Sequence, residues 1–341
     1  MSKLGAAPTL DDVAKMAGVS TATVSRCLNS PNRVVKATRE RVQSAVDALG
    51  YTPNFAAQVM AAKRTFTIGA IIPTMENAIF ARGLQAFQEE LHQHGYTLLV
   101  SSSAYKPDIE EEQIRTLAAR GADGLLLIGH DRDPKIYEFL DRRNIPTLVA
   151  WSFAPDAPVP SIGFDNRAAM CALANRVIAM GHTHLGVISG VSAGNDRARL
   201  RIEGVKDATR QNGLDVSDLT IIETPYEIEC GAQAFSQLIG QASRPTAILC
   251  GNDVLAVGAL RRAQEIGLRV PKDVSITGFD DIELARIVSP ALTTVHVPHR
   301  EMGRKAALQL VEMVEKQVTD QGEQLDTSII EGQSLGPPGK T

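Results

Sequence analysis

Aromatic residues are scarce in this 341-residue chain: one tryptophan, five tyrosines and nine phenylalanines, 4% in all. With a hydrophobic fraction of 44%, its cores must be packed mainly from aliphatic side chains. Cysteine is scarcer still. Cys27, Cys171, Cys230 and Cys250 show no CxxC or other metal spacing, which argues against a disulfide scaffold or zinc cluster and reads as small, reduced core residues of a cytosolic protein. No apolar run approaches the ~18 residues needed to cross a bilayer, and no charged-then-apolar leader opens the sequence, so the expected location is the cytoplasm, without a membrane partner. Nucleotide signatures are missing too. No GxGxxG follows a strand-like run, and the segment 190–194 lacks the Gly-Lys-Ser/Thr ending of a P-loop. No Ser/His/Asp set falls on strand ends. His182 and His184 have no third ligand nearby, so a capping or core role is the expectation. Glu110, Glu111 and Glu112 open a helix, where acids complement the dipole. No catalytic activity, metal or cofactor is expected.

Charge is low overall, at −4, which taken alone argues against a nucleic-acid partner. Its distribution argues the other way. Residues 1–64 hold nine Lys and Arg against four acids, a net +5, leaving 26 basic and 35 acidic residues, a net −9, in residues 65–341. A basic head on an acidic body is expected when one end alone touches phosphate.

The head is the most informative stretch. Thr9 to Asn29 reads TLDDVAKMAGVSTATVSRCLN. Thr9 and Asp12 have capping-box spacing, and Leu10, Val13, Ala14 and Ala17 form an i, i+3, i+4, i+7 stripe. Gly18 sits where a turn needs a permissive backbone, and Ser20 is placed to cap a second helix. That helix has an apolar face of Val24, Cys27 and Leu28, leaving Thr21, Ala22, Ser25 and Arg26 outward. A third helix spans Lys36 to Leu49, with Gly50 past its end. This is a helix-turn-helix, whose second helix enters a DNA major groove. Arg26 suits guanine O6/N7, Ala22 a thymine methyl, and Thr21 a base edge. Next, Pro53 and Asn54 introduce a short helix-compatible run, Phe55 to Ala62, that is marginal alone. It is either a segment that orders on DNA or a spacer.

From Phe66 short apolar runs alternate with amphipathic stretches. Strands are expected at 67–73, 96–101, 124–128 and 147–150, with helices at 80–95, 110–120 and 137–142. After Asp165 the alternation restarts, with helices at 168–180, 199–212, 231–238 and 255–265 and strands at 185–189, 220–223, 247–250 and 274–279. Two such rounds predict two doubly wound parallel lobes with a cleft at the strand C-terminal ends. Near the end, Thr327 to Ile330 is strand-like, and no leucine heptads follow.

The head motif T-L-x-D-V-A-x-x-A-G-V-S-x-x-T-V-S-R-x-L-N resembles the lactose/galactose repressor family of bacterial regulators, with Cys27 where valine is usual. The body resembles the same family through Gly163-Phe164-Asp165-Asn166, Arg201-Ile202-Glu203-Gly204, Asn252-Asp253, Val270-Pro271-Lys272-Asp273-Val274-Ser275, Gly278-Phe279-Asp280-Asp281 and Pro290-Ala291-Leu292-Thr293-Thr294. The likeness covers about residues 8–337. It implies an α/β protein: a helix-turn-helix headpiece (1–51), a hinge-helix linker (52–65) and a periplasmic-binding-protein-like core (66–341). Lobe 1 would take 66–163 and 294–323, and lobe 2 164–293 and 324–340. By this resemblance the chain is a transcriptional regulator, expected as a repressor, that binds a palindromic double-stranded operator as a homodimer under control of a small effector. DNA contacts are expected from Thr9, Ser20, Thr21, Ala22, Thr23, Ser25, Arg26 and Asn29. Minor-groove contacts are expected from Asn54, Ala57, Gln58 (often Arg in the family) and Met60 (usually a Leu wedge).

Effector contacts implied are Ile79, Phe80, Trp151, Asp165, Asn195, Arg197, Arg201 and Asp280. Plainer roles stand beside some of them. Asp165 is also placed as a helix cap, Phe80 as core, and Arg201 as the partner of Asp280. Two arginines suit a carboxylate, and Tyr105 to Glu112 with Gly163 to Asn166 is similar to the gluconate-repressor branch, so a sugar acid is expected first and a neutral sugar next. A nucleobase or protein co-effector is the rival within the class, and a solute-binding transport protein the rival outside it.

Overall fold

A computed structural model describes residues 7–29, 31–52, 64–76, 78–316 and 322–339. The chain divides into two compact units, Met1–Thr65 and Phe66–Thr341.

In the first unit, α1 (Leu10–Ala17), α2 (Thr21–Asn29) and α3 (Lys36–Leu49) enclose a small core of Val13, Ala14, Ala17, Val24, Cys27, Val42, Ala45 and Tyr51. The start of α1 is fixed locally. Asp12 N–H donates to Thr9 Oγ1 at 3.3 Å, and Thr9 N–H returns a bond to Asp12 Oδ2 at 2.9 Å, a reciprocal capping box. Gly18 ends the helix with φ +65°, the left-handed conformation a C′ glycine adopts freely. Residues 53–63, with the expected hinge helix and the contacts Asn54, Ala57, Gln58 and Met60, lie outside the described residues.

The second unit contains two parallel sheets. The first is formed by β1 (Thr67–Ile72), β2 (Thr97–Ser102), β3 (Gly124–Ile128), β4 (Thr147–Ala150), β5 (Ser161–Gly163) and β11 (Gly322–Gln324), in the order β11-β5-β4-β3-β1-β2. Its register sets Ile68 beside Leu98 and Gly124. Helices α4 (Ala81–Gln93), α5 (Pro107–Ala119), α6 (Pro134–Arg142) and α12 (His299–Lys316) accompany it, with α4 and α12 packed together. The second sheet takes β6 (Leu185–Gly190), β7 (Thr220–Thr224), β8 (Ala247–Cys250) and β9 (Ser275–Thr277), in the order β7-β6-β8-β9. Its helices are α7 (Asn166–Ala179), α8 (Asp196–Gln211), α9 (Ile228–Ile239) and α10 (Asp253–Glu265), paired α7 with α8 and α9 with α10. A short α11 (Glu283–Ile287) follows. β1, β3, β4, β6 and β8 are buried almost throughout. Strands covered on both faces read as unbroken apolar runs, which is why the sequence exposes them so clearly.

Five elements escape that reading. β5 is a three-residue Ser-Ile-Gly strand, too short to carry a period. β10 (Thr294–His296), β11, α11 and α12 were not anticipated either. β10 pairs antiparallel with β12 (Ser328–Ile330), Val295 facing Ile329. The chain passes between the six-stranded and four-stranded halves three times, near 163–166, 294–298 and 324–328. Leu325 N–H donates to Gly163 O at 2.7 Å, so two of these passages are bonded to each other.

Candidate functional site

On the head, α2 presents a small polar face. Ser20, Thr21, Ala22 and Arg26 are exposed, and Thr23 and Ser25 are half-buried. Ser20 Oγ accepts Thr23 N–H at 3.2 Å and lies 2.9 Å from Thr23 Oγ1. Those hydroxyls therefore build the cap, as Thr9 does on α1. Thr21, Ala22 and Arg26 remain as the outward group at the helix start, where a recognition helix reads base edges. Asn29 closes α2. Apart from α2, the exposed Arg41 and the half-buried Arg39 carry further positive charge on α3.

In the second unit, the C-terminal ends of both sheets face a cleft lined by Pro73, Ser103, Tyr105, Lys106, Asp131 and Arg197, among others. The most extensively bonded of the expected effector side chains is Arg201. Its Nε donates to Asn166 Oδ1 at 2.9 Å, Nη1 to Gly251 O at 2.6 Å and Nη2 to Asp280 Oδ1 at 3.4 Å. The guanidinium lies 3.7 Å over the Phe279 ring, a stacked cation–π contact. Asp280 is 1% exposed, yet its Oδ2 has no hydrogen-bond partner among the described residues. A buried carboxylate oxygen left unpaired is costly, so it marks a place for a donor. Asp280 also holds φ +102°, backbone strain of the kind that gathers at ligand sites. Behind it, burial and then the facing Asp280 push the Asp253 carboxyl well above the ordinary range, keeping it towards its neutral form. It accepts Thr294 Oγ1–H at 2.6 Å and Ile282 N–H at 2.8 Å, bonds that pin the Asp280 turn.

Arg197 is paired differently. Its Nη1 donates to Asp196 Oδ1 at 3.3 Å, and Asp196 Oδ2 accepts His130 N–H at 2.9 Å from the six-stranded half. Burial opposes the Asp196 charge, but Arg197 and the His130 amide outweigh it and hold this carboxyl below its usual range. A second bond between the halves joins Arg199 Nη1 to Asp131 Oδ2 at 2.8 Å. Gly129, with φ +71°, allows this approach. A Cβ there would lie 2.0 Å from Arg197 Nη1 and 2.2 Å from Asp196 Oδ1.

Of the expected effector residues, Asn195, Arg197, Arg201 and Asp280 cluster on the four-stranded half, and Arg197 reaches the lining of the cleft. Asn195 caps α8 by accepting Ala198 N–H at 3.3 Å. Arg201 pairs with Asp280, as the plainer reading allowed. Asp165 does not join them. It is exposed and accepts Ala168 N–H at 2.9 Å as the cap of α7, while its neighbour Asn166 turns inward, donating to Trp151 O at 3.0 Å. Ile79, Phe80 and Trp151 are buried in the core. Phe80 meets Trp151 edge-on at 5.3 Å, and Trp151 Nε1–H donates to His299 Nδ1 at 3.2 Å, so this aromatic pair is a packed wall rather than an open face. Glu110 lies in the first turn of α5, as expected, and also pairs with the buried guanidinium of Arg132 at 3.1 Å. His182 has the core role anticipated, lying 2.9 Å from Thr246 Oγ1 and 2.8 Å from Gly336 O. Sequence reasoning missed Asn166, Asp196, Tyr226 and Gly129. The motif Gly163-Phe164-Asp165-Asn166 did flag the first.

Comparison with known proteins covers both units. A sequence model of bacterial regulatory proteins of the lacI family matches residues 9–54, and one of a periplasmic binding protein-like domain matches residues 174–335. The transcriptional repressor CytR of Escherichia coli K12 is 35% identical over 320 residues, covering 94% of this chain and 93% of the relative. The transcriptional repressor PurR of Photobacterium profundum is 35% identical over 307 residues, covering 90% and 92%. Among solved structures, the lac repressor bound to ONPG in its repressed state matches with a TM-score of 0.85 at 28% identity, over 96% of this chain and 99% of that one. An exposed polar face on α2, a polar cleft between two parallel sheets and kinship along nearly the whole chain converge: the protein belongs to the lacI family of bacterial regulatory proteins and is a DNA-binding transcriptional repressor with a periplasmic-binding-protein-like effector domain, not an enzyme.

Proposed function

We propose that the repressor acts in the cytoplasm as a homodimer on a palindromic operator, and that a small metabolite in the cleft sets its DNA affinity. In this reading residues 1–51 are the DNA-binding domain, 52–65 the hinge and 66–341 the effector and dimerisation domain. Thr21, Ala22 and Arg26 read bases, Thr9, Ser20, Thr23, Ser25 and Asn29 position the helix, and Asn54, Ala57, Gln58 and Met60 enter the minor groove. A matching lac repressor structure is described as a dimer bound to operator and the anti-inducer ONPF, which supports a dimeric, ligand-linked reading. So does the edge strand β2, where Leu99 is 40% and Val100 41% exposed. Such an apolar edge is ordinarily covered.

The unpartnered Asp280 Oδ2 beside Arg201 carries the effector reading. Charge refines the ligand class. Arg197 is matched by Asp196 and Arg201 by Asp280, so a carboxylate on the ligand finds no unmatched cation at either arginine. A neutral ring bearing hydroxyls, in a sugar or a nucleoside, fits better than a sugar acid. It would give a hydroxyl hydrogen to Asp280 and leave both ion pairs intact. Binding moves the equilibrium only if one closure state is preferred.

The test uses full-length protein on an operator selected from randomised DNA, followed by fluorescence anisotropy. Neutral sugars, sugar acids, nucleobases and nucleosides are added in turn. Asp280→Ala should abolish the response to the active compound while operator affinity without it stays within twofold. A response preserved in Asp280→Ala removes this residue from the site, and a sugar acid as the active compound overturns the charge reading.

A further inference from the structure

We propose that Tyr105 is a specificity-determining residue of the cleft: with Tyr226 it forms an aromatic gate over the Arg197, Arg201 and Asp280 cluster, admitting ligands that present the flat C–H face of a ring. The inference rests on the effector reading above and deepens it.

The two tyrosines come from opposite halves. Tyr105 lies between β2 and α5 in the six-stranded half, and Tyr226 between β7 and α9 in the four-stranded half. Their ring centroids are 5.7 Å apart at 43°, within the range where aromatic pairs attract. Both phenols lie in the field of the same three charged groups, Arg197, Arg201 and Asp280. Tyr105 lines the cleft beside Arg197, and Tyr226 lies beside Asn195. The gate therefore stands at the polar cluster.

Backbone geometry on each side holds the rings there. Ala104 and Tyr105 have φ +51° and +57°, two consecutive non-glycine residues in the left-handed region. Such conformations persist where the surroundings over-determine them, commonly at ligand clamps. Lys106 N–H donates to Ser103 O at 2.9 Å, and Ser103 N–H to Ile72 O at 2.9 Å, tying the strained pair to the end of β1. On the opposite side, Gly190 ends β6 directly beneath Tyr226. A Cβ there would lie 2.1 Å from Tyr226 Cζ, so only glycine lets the ring lie over the strand end. A tyrosine serving only to cover surface requires neither feature.

An aromatic face recognises the C–H face of a ring-form sugar or the plane of a heterocycle, and offers much less to an open-chain polyol. Because the pair joins the halves, it also favours closure before any ligand arrives, which gives the proposal a ligand-free readout.

The experiment compares the full-length wild type, Tyr105→Ala, Tyr105→Phe, Tyr226→Ala and the Tyr105→Ala/Tyr226→Ala double variant. Without ligand, operator affinity should change by about three- to tenfold in each single alanine variant, in the same direction. The double variant should change no further, and Tyr105→Phe should match the wild type. The ligand arm uses D-glucose, D-ribose, D-gluconate, adenosine and uracil, scored by thermal shift. For the ring compound that most stabilises the wild type, Tyr105→Ala should weaken apparent affinity by about tenfold and Tyr105→Phe by less than about twofold. Additive alanine effects, wild-type operator affinity in Tyr105→Ala, or unchanged ring-ligand affinity each overturn the gate. If none of the five compounds binds the wild type, the effector reading fails for these classes and the ligand-free cycle alone decides whether the gate exists.

Discussion

Gly129→Ala separates backbone strain from closure. Alanine at φ +71° costs about 1–2 kcal/mol whichever way the halves stand, because the strain is intrinsic to the backbone conformation. That part lowers thermal stability alone. The added methyl acts elsewhere. Its ideal position is 2.0 Å from Arg197 Nη1 and 2.2 Å from Asp196 Oδ1. The arginine tip can swing aside, but Asp196 belongs to the first turn of α8 and its side chain is 9% exposed, so it cannot retreat without moving the helix. The bond lost is the one from His130 N–H to Asp196 Oδ2, 2.9 Å long. Charge-assisted bonds contribute about 1.5–3 kcal/mol, so the closed population should fall by about tenfold to a hundredfold. Native-state hydrogen exchange reads this directly, since the His130 amide loses protection when the halves part. Gly129→Ala should speed exchange at His130 by about that factor while core amides of β3 slow or quicken only with global stability. Wild-type protection at His130 in the folded variant would refute the wedge.

Arg26→Ala should cost about 1–3 kcal/mol at one base position and relax preference there; a selection returning the same operator with undiminished preference at every position contradicts the assignment. His299 makes stability pH-dependent. Its Nδ1 accepts Trp151 Nε1–H and its Nε2 lies 3.1 Å from Asp280 O, a pair of bonds that only the neutral ring satisfies, and burial lowers its pKa from 6.5. The unfolded chain therefore binds the proton first, and stability should fall as pH drops below about 6.5. His182, lowered by burial too, contributes with the same sign. The sole tryptophan, Trp151, reports the step: its emission should be flat from pH 8 to about 6.5 and change below, and a thermal midpoint that rises on acidification would refute the sign. Val100→Asp should convert the dimer to monomers in sedimentation velocity at micromolar concentration, since an unpaired charge would be buried at the edge strand; an unaltered dimer removes β2 from the interface.

Legibility from sequence followed the range of the forces involved. Thr9 with Asp12, Gly18 and the buried stripe of α1 are interactions within one or two turns, and every partner stands in the same short window. The β1 and β3 strands announced themselves because both faces are covered. The cleft was only partly readable. Asp165 and Asn166 are adjacent, and either has the chemistry to face a ligand. Which one turns inward is decided by Trp151 O and Arg201, 15 residues before and 35 residues after Asn166. Glu110 was legible as a helix-start acid, but its pairing with Arg132, 22 residues on, is set by the tertiary fold. Phe80 and Trp151 have the aromatic character of a sugar platform, but His299, 148 residues beyond Trp151, closes over the indole. Charge matching at Arg197 comes from its neighbour Asp196, but the orientation of that carboxylate is set by the His130 amide, 66 residues earlier in the chain.

The three passages between the halves have a mechanical meaning. A single connecting segment would be a swivel, free to twist as well as bend. Here the 163 and 325 passages share a hydrogen bond, and the 295 passage is zipped to residue 329 by strand pairing. Such a three-ply joint resists twist and sliding far more than it resists bending about one axis. A ligand at the proposed Asp280 site would thus be converted into an angle between the halves, a single scalar for the six-stranded half to transmit.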